Sequence, residues 1–242
     1  PKIGLVSNRE FGEYHLRLLH PKVVLSWLDR HCSIVFHPVF VSLLGAAILL
    51  AELWTALHSG AIGHDLGVAV QDRDPAVWTS FGIIYAVMSI AHEMSHGLVC
   101  HHFGGEVEDI GIMTRYLRIY LYCKLDDVVL FHNRWHRIAT FAAGIICSLS
   151  LIPVAALIWT FAPAHSFGRS ISSLLLIIFN LSILANLYPF LQLDGYLILA
   201  HGLRLPELRK DATLYCIARI KEWRGRSDAK AVGPGYTSSE KY

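Results

Sequence analysis

The chain has 242 residues, of which 54% are AVILMFWYC and only 17% are DEKR, against roughly 25% charged in an ordinary soluble domain. A core of this size needs a charged shell that these residues barely supply, so the composition points to lipid as part of the solvent. A net charge of +2 argues against a nucleic-acid partner, and five cysteines (Cys32, Cys100, Cys123, Cys147 and Cys216) without a CxxC pair argue against a disulfide framework or thiolate zinc knuckle.

Residues 1–33 mix charge, aromatics and apolar groups and read as a cytoplasmic or interfacial segment. No charged start runs into a short apolar stretch with a small-residue cleavage site, so a removable signal peptide is not expected. The first apolar segment runs from about Ile34 to Leu57 with Glu52 as its only formal charge, long enough at ~1.5 Å per residue to cross a ~30 Å hydrocarbon layer. A polar loop holding Asp65, Asp72, Arg73 and Asp74 is expected before Pro75. A second span covers about Val77 to Cys100, a third about Ile138 to Phe161 with a kink expected at Pro153, and a fourth about Ile171 to Tyr188, stopped by Pro189.

Between the second and third spans, Gly104 and Gly105 mark a turn. Strands are expected over Glu106–Ile112 and Leu117–Leu125, the latter alternating Arg118, Tyr120, Tyr122 and Lys124 with apolar residues. The fold class expected is therefore an all-α polytopic membrane protein with about four transmembrane helices and a small cytoplasmic β-hairpin. Its core spans residues 34–202, and the tail over 203–242 holds one helix from about Pro206 to Trp223. Lys and Arg number 5, 1, 5, 1 and 9 in successive segments outside the spans. By the positive-inside tendency, both termini and the central segment face the cytoplasm. The basic residues also suit contact with an anionic lipid bilayer.

The chemistry concentrates in the second span. His92-Glu93-Met94-Ser95-His96 places two imidazoles one helical turn apart with a carboxylate beside them, the spacing a zinc hydrolase requires. Polar groups of this kind within a span are expensive unless they pair, face a cavity or bind something. A catalytic zinc takes three protein ligands and keeps one open position. Asp194 is the best third candidate, because the charge-derived topology brings the end of the second span and the residues after the fourth to the same, cytoplasmic, side. Pro189 would let the chain turn Asp194 inward.

With these residues in view, the chain resembles the site-2 protease class of intramembrane zinc metalloproteases, peptidase family M50. HEMSH fits the class pattern HExxH, and Asn186 to Gly195 fits NxxPxxxLDG. Phe103-Gly104-Gly105, Tyr122-Cys123, Asp126-Asp127, Arg134 to Arg137 and Ala142-Ala143-Gly144 look most like bacterial peptide zinc metalloproteases associated with modified-peptide or bacteriocin systems. The resemblance covers roughly Val77 to Gly202. It departs at Ile145, where the family has proline, and around Tyr122-Cys123, where a proline and an acidic residue are missing and Lys124 follows.

The resemblance implies one Zn²⁺ held by His92, His96 and Asp194, with Glu93 as the general base. It also implies that Asn186 hydrogen-bonds substrate backbone or the developing oxyanion, although an Asn in a span also serves to tie helices together. Asn180 reads as such a packing residue. The implied partners are a membrane-associated protein or peptide substrate, the bilayer, and an adaptor or export partner, with the chain integral to a bacterial cytoplasmic membrane. Two alternatives stand beside this reading. One is a catalytically silent protease-like scaffold that binds peptide or protein partners. The other is a haem or proton-transport protein, which the four-residue spacing of His92 and His96 disfavours. The central hairpin offers either an edge for β-addition or a simple cap.

Overall fold

Prolines, small residues and local caps set the boundaries along this chain. The computed structural model describes residues 5–8, 13–19, 21–107, 109–115, 118–189, 191, 193–203 and 217. In order, these form β1 (Leu5–Asn8), β2 (Glu13–Leu19), α1 (Lys22–His31), α2 (Pro38–Leu57), α3 (Ser59–Asp72) and α4 (Pro75–His102). There follow β3 (Ile110–Arg115), β4 (Arg118–Cys123), α5 (Arg134–Leu149), α6 (Leu151–Phe161), α7 (Phe167–Leu187) and α8 (Asp194–Gly202). Pro38 and Pro75 stand at the first positions of α2 and α4, where a missing N–H leaves no helical bond unmade. Asp74 caps α4 by accepting from the Ala76 N–H at 2.9 Å, and Asn133 caps α5 by accepting from Trp135 at 2.9 Å.

Among the described residues, four helical stretches are long and apolar enough to cross a membrane: Pro38–Leu57, Pro75–His102, Arg134–Phe161 and Phe167–Leu187. They correspond to the four expected spans. The third is interrupted between Leu149 and Leu151. Pro153 lacks the N–H that would bond the Leu149 carbonyl four residues back, so the break falls one turn before the proline, as a proline kink requires. Leu43, Leu49, Leu50, Leu53 and Leu57 of α2 all lie exposed, an outer surface suited to acyl chains rather than water.

Three expectations need correction. The polar loop before Pro75 is instead α3, a 14-residue helix that buries Ile62 and Ala69, with Leu66 packed beside them. These apolar residues recur at helical spacing and hold the segment against α7 despite three glycines. Arg169 at the start of α7 secures it, donating through Nε to Asp65 Oδ2 at 2.6 Å and through Nη1 to the Trp159 carbonyl at 3.0 Å, with its guanidinium over the Trp159 ring. Burial opposes ionisation of Asp65, but the hydrogen bond and charge of Arg169 outweigh it and hold the carboxyl below its ordinary value.

The second correction concerns the sheet. β3 and β4 form the expected antiparallel hairpin, with Ile110 opposite Cys123 and Arg115 opposite Arg118, but the first strand begins at Ile110 rather than Glu106. Third, β2 pairs antiparallel with β3, and β1 with β2, giving a four-stranded sheet in the order β1-β2-β3-β4. The chain is thus helical with a small sheet that recruits the N-terminal segment. The expected helix over 206–223 lies outside the described residues except for Ile217, which is helical.

Two packing clusters organise the helices. One joins α2, α3, α6 and α7 to the start of α4 around Ile62, Val77, Ile152, Leu174 and Leu176. The other gathers α1, β3, α5 and the end of α4 around Leu25, Cys100, Ile110, Val128 and Phe141. Helix α4 runs through both, and His92 and His96 fall between them.

Candidate metal centre

The site is built where α4, α5 and the start of α8 meet. His92 and His96 lie one turn apart on α4, so both rings leave the same face. Asp194, the first residue of α8, closes on them, with Oδ2 at 3.0 Å from His92 Nε2 and Oδ1 at 3.4 Å from His96 Nε2. The three ligand atoms lie within 4.8 Å of one another, and the group could hold a metal ion. His96 is 3% exposed. The structure therefore assembles all three residues that the sequence put forward as ligands.

Each imidazole is held from behind by α5. His96 Nδ1 lies 2.7 Å from the Thr140 carbonyl oxygen, and His92 Nδ1 lies 3.0 Å from Ser148 Oγ. A carbonyl only accepts, so the His96 proton belongs on Nδ1 and the lone pair of the neutral ring belongs on Nε2. That lone pair then faces a carboxylate oxygen, and two acceptors this close need a cation between them, either a proton or a metal ion.

A second observation supports the fit of a metal. A Cβ added to Gly144 of α5 would lie 2.3 Å from His96 Nε2 and 2.6 Å from His92 Nε2. Glycine therefore keeps side-chain bulk away from both Nε2 atoms on the α5 side. The volume that glycine leaves vacant is within reach of both lone pairs. Two imidazoles and one carboxylate are also a borderline donor set of the kind zinc takes in hydrolases.

Glu93 sits beside the cluster and accepts a hydrogen bond from the Cys123 backbone N–H. Across the hairpin, the Lys124 N–H donates to the Asp109 carbonyl at 2.9 Å. The adjacent Cys123 N–H therefore points the other way, off the outer edge of β4, toward Glu93. The edge of the sheet and the carboxylate beside the metal group are in direct contact. Burial and the nearby Glu93 charge push the Cys123 thiol up, which keeps it protonated and unsuited to nucleophilic or ligand duty.

Asn186 lies in the last turn of α7, with its carbonyl oxygen and the Leu187 backbone packed against Gly195. Its side chain is not one of the three that form the metal group. Asn180 donates to the Leu176 carbonyl at 2.9 Å and reaches Glu52 of α2, the helix-tying role expected of it. Among the other histidines, His102 pairs with Asp29 at 2.9 Å and stacks on Phe36, His136 stacks on Phe103, and His201 stacks on Phe141, all structural roles.

Sequence reasoning missed Thr140 and Ser148, and it quoted Gly144 without a role. The signal available was the period of four from Gly144 to Ser148 on the third span; the Thr140 contact is made by a backbone carbonyl, which no sequence pattern marks. The chain matches no protein-family model, no curated protein and no solved structure.

Proposed function

We propose that this chain is a zinc-dependent intramembrane endopeptidase of the site-2 protease class, cutting a membrane-associated or small peptide substrate near the cytoplasmic face. The observation that carries the reading is the convergence of His92, His96 and Asp194 beside Glu93, with both histidines on a helix long enough to span a membrane and Asp194 brought to them by the short α8. A zinc ion held by these three residues supplies Lewis acidity, acidifying water and polarising a carbonyl. Glu93, one residue from His92, accepts the proton of the attacking water and returns it to the departing amine. Asn186 donates to substrate backbone from the end of α7.

The outer edge of β4, the last strand of the sheet among the described residues, gives a substrate a place to lie. An extended peptide added there runs alongside Glu93, and its backbone groups find partners that a helical substrate would otherwise keep internal. The distribution of basic residues supports cytoplasmic termini and a cytoplasmic sheet. The competing reading, a silent scaffold, retains the fold and the partner surface but performs no hydrolysis.

Purified detergent-solubilised protein and its Glu93→Gln variant separate the two. Zinc bound in both, with peptide cleavage only in the parent, is the expected result. Equal metal-dependent cleavage by both, or no bound zinc after metal loading, refutes the peptidase; zinc in both with cleavage in neither identifies the scaffold.

A further inference from the structure

We infer that one face of α5, formed by Thr140, Gly144 and Ser148, is the second half of the metal centre: it aims both histidines at a common point and reserves that point for the ion. The inference rests on the metal-centre reading above and assigns these three as positioning residues for it.

The argument begins with register. His92 meets Ser148 and His96 meets Thr140, so the residue number rises along α4 as it falls along α5, and the two helices are antiparallel here. His92 and His96 are four residues apart, one turn of about 5.4 Å, whereas Thr140 and Ser148 are eight apart, two turns with Gly144 at their middle. The Thr140 carbonyl points along α5 toward Gly144 and the Ser148 side chain leans back toward it, so two rings one turn apart on α4 reach acceptors on either side of Gly144.

Each acceptor does the same work by a different group. The Thr140 carbonyl fixes the His96 tautomer outright, since it cannot donate. The Thr140 hydroxyl is occupied by the His136 carbonyl at 2.8 Å, so it does not compete. Ser148 Oγ accepts a hydrogen bond from the Nδ1–H of His92 whenever Nε2 serves as a ligand. Outer partners of this kind orient a ligating imidazole and raise its basicity.

Gly144 lies midway between the two acceptors, one turn from each. The three nearest atoms to its absent Cβ all belong to the rings of His92 and His96, at 2.3–2.7 Å. The neighbouring Phe141, Ala143 and Ile145 are buried, so α5 has little room to retreat from α4. A methyl group at Gly144 therefore enters the space between the lone pairs or pushes the rings apart. A glycine that served only close helix packing would lose stability on substitution; one that reserves the ion's place loses metal first.

The full-length chain in detergent, titrated with Co²⁺ and followed by its visible absorption, reads this directly, with chelator competition giving the Zn²⁺ affinity. Ser148→Ala is expected to weaken metal binding about 10–100-fold, while Ser148→Thr, which keeps the hydroxyl, stays near the parent. Gly144→Ala is expected to lose the Co²⁺ spectrum while keeping the helical circular dichroism, with the apo-protein melting temperature lowered by overpacking against the rings but the chain still folded. Ile146→Ala, on the exposed side of α5, controls for general loosening of the helix.

Parent-like affinity in Ser148→Ala overturns the role of Ser148, and a parent-like Co²⁺ spectrum in Gly144→Ala overturns the reserved space. An equal loss in Ile146→Ala overturns both, because the effect is then not confined to this face. A parent chain that binds neither ion refutes the metal centre itself, an outcome distinct from parent binding that is insensitive to α5.

Discussion

Gly195→Ala tests how Asp194 is delivered to the histidines. A Cβ at this position would lie 2.6 Å from Leu187 Cα and 2.7 Å from both the Asn186 carbonyl oxygen and the Leu187 carbonyl carbon. All three are backbone atoms, so no side chain can rotate away. Ordinary contacts are about 3.5–4.0 Å, and the start of α8 must withdraw from the end of α7 by about 1 Å. Gly195 does not have positive φ, so alanine is otherwise acceptable there and the clash alone sets the outcome. Overpacking of this kind costs about 1–3 kcal/mol. Asp194 is the preceding residue, and its oxygens stand only 3.0 and 3.4 Å from the two Nε2 atoms, so the same withdrawal takes the carboxylate out of chelating range. Zn²⁺ affinity is expected to fall at least about 10–100-fold, measured by chelator competition, together with a lower melting temperature. Gly63→Ala in α3 is the control: nothing lies within 4 Å of its Cβ, and alanine is favoured over glycine in a helix by about 0.8–1.0 kcal/mol. That variant is expected to melt higher with metal affinity unchanged. Parent-like affinity in Gly195→Ala would refute the claim that the α7–α8 junction sets the position of Asp194.

Two further predictions concern groups outside the metal centre. Asp65→Asn leaves Arg169 without its charged partner and is expected to cost about 1–3 kcal/mol, read as a lowered melting temperature. Because the folded Asp65 carboxyl titrates below its ordinary value of 3.8, its contribution is complete above that value and is lost as pH falls through the lower folded one. The gap between parent and Asp65→Asn should therefore hold steady above about pH 5 and narrow below pH 4; a gap that does not narrow in acid refutes the ion-pair account. Cys123, with its thiol raised by burial and by Glu93, should react with iodoacetamide at pH 7.5 at least about tenfold more slowly in the folded chain than in the denatured one. Equal rates would show that the thiol is not held in its protonated form.

Much of this architecture is legible in the residues because long apolar runs follow a simple code. A run such as Leu43 to Leu50 has few stable alternatives to a buried or membrane-spanning helix, and His92 and His96 announce a shared face by their spacing alone. Asp194 is legible only through topology, since nothing local in its sequence says that it meets α4. Helix α3 is obscured because Gly60, Gly63 and Gly67 weaken the helical signal, while His64 and Asp65 read as loop; its period becomes clear once Ile62, Leu66 and Ala69 are seen against α7. Strands β1 and β2 are hidden for a different reason. Their pairing partner β3 lies on the far side of four helices in sequence, and periodicity does not name a partner. The Thr140 carbonyl could not have been read at all, because every residue offers the same backbone acceptor.

The part least visible in the sequence bears most directly on the chemistry. His92, Glu93 and His96 are one turn of one helix, and that turn alone fixes neither a tautomer nor a third ligand. Those constraints come from α5 and α8, which approach α4 from separate parts of the chain and do so through glycines, Gly144 beside the rings and Gly195 against the end of α7. Bulk at either position would separate elements whose polar groups meet at 2.7–3.4 Å. Within the helices, where each unpaired polar group is costly, the same close approach that satisfies the imidazoles also aligns their lone pairs. Packing and site geometry are thus one requirement here, and a substitution that relaxes the α4–α5 contact should disturb the metal group before it disturbs the four apolar helices.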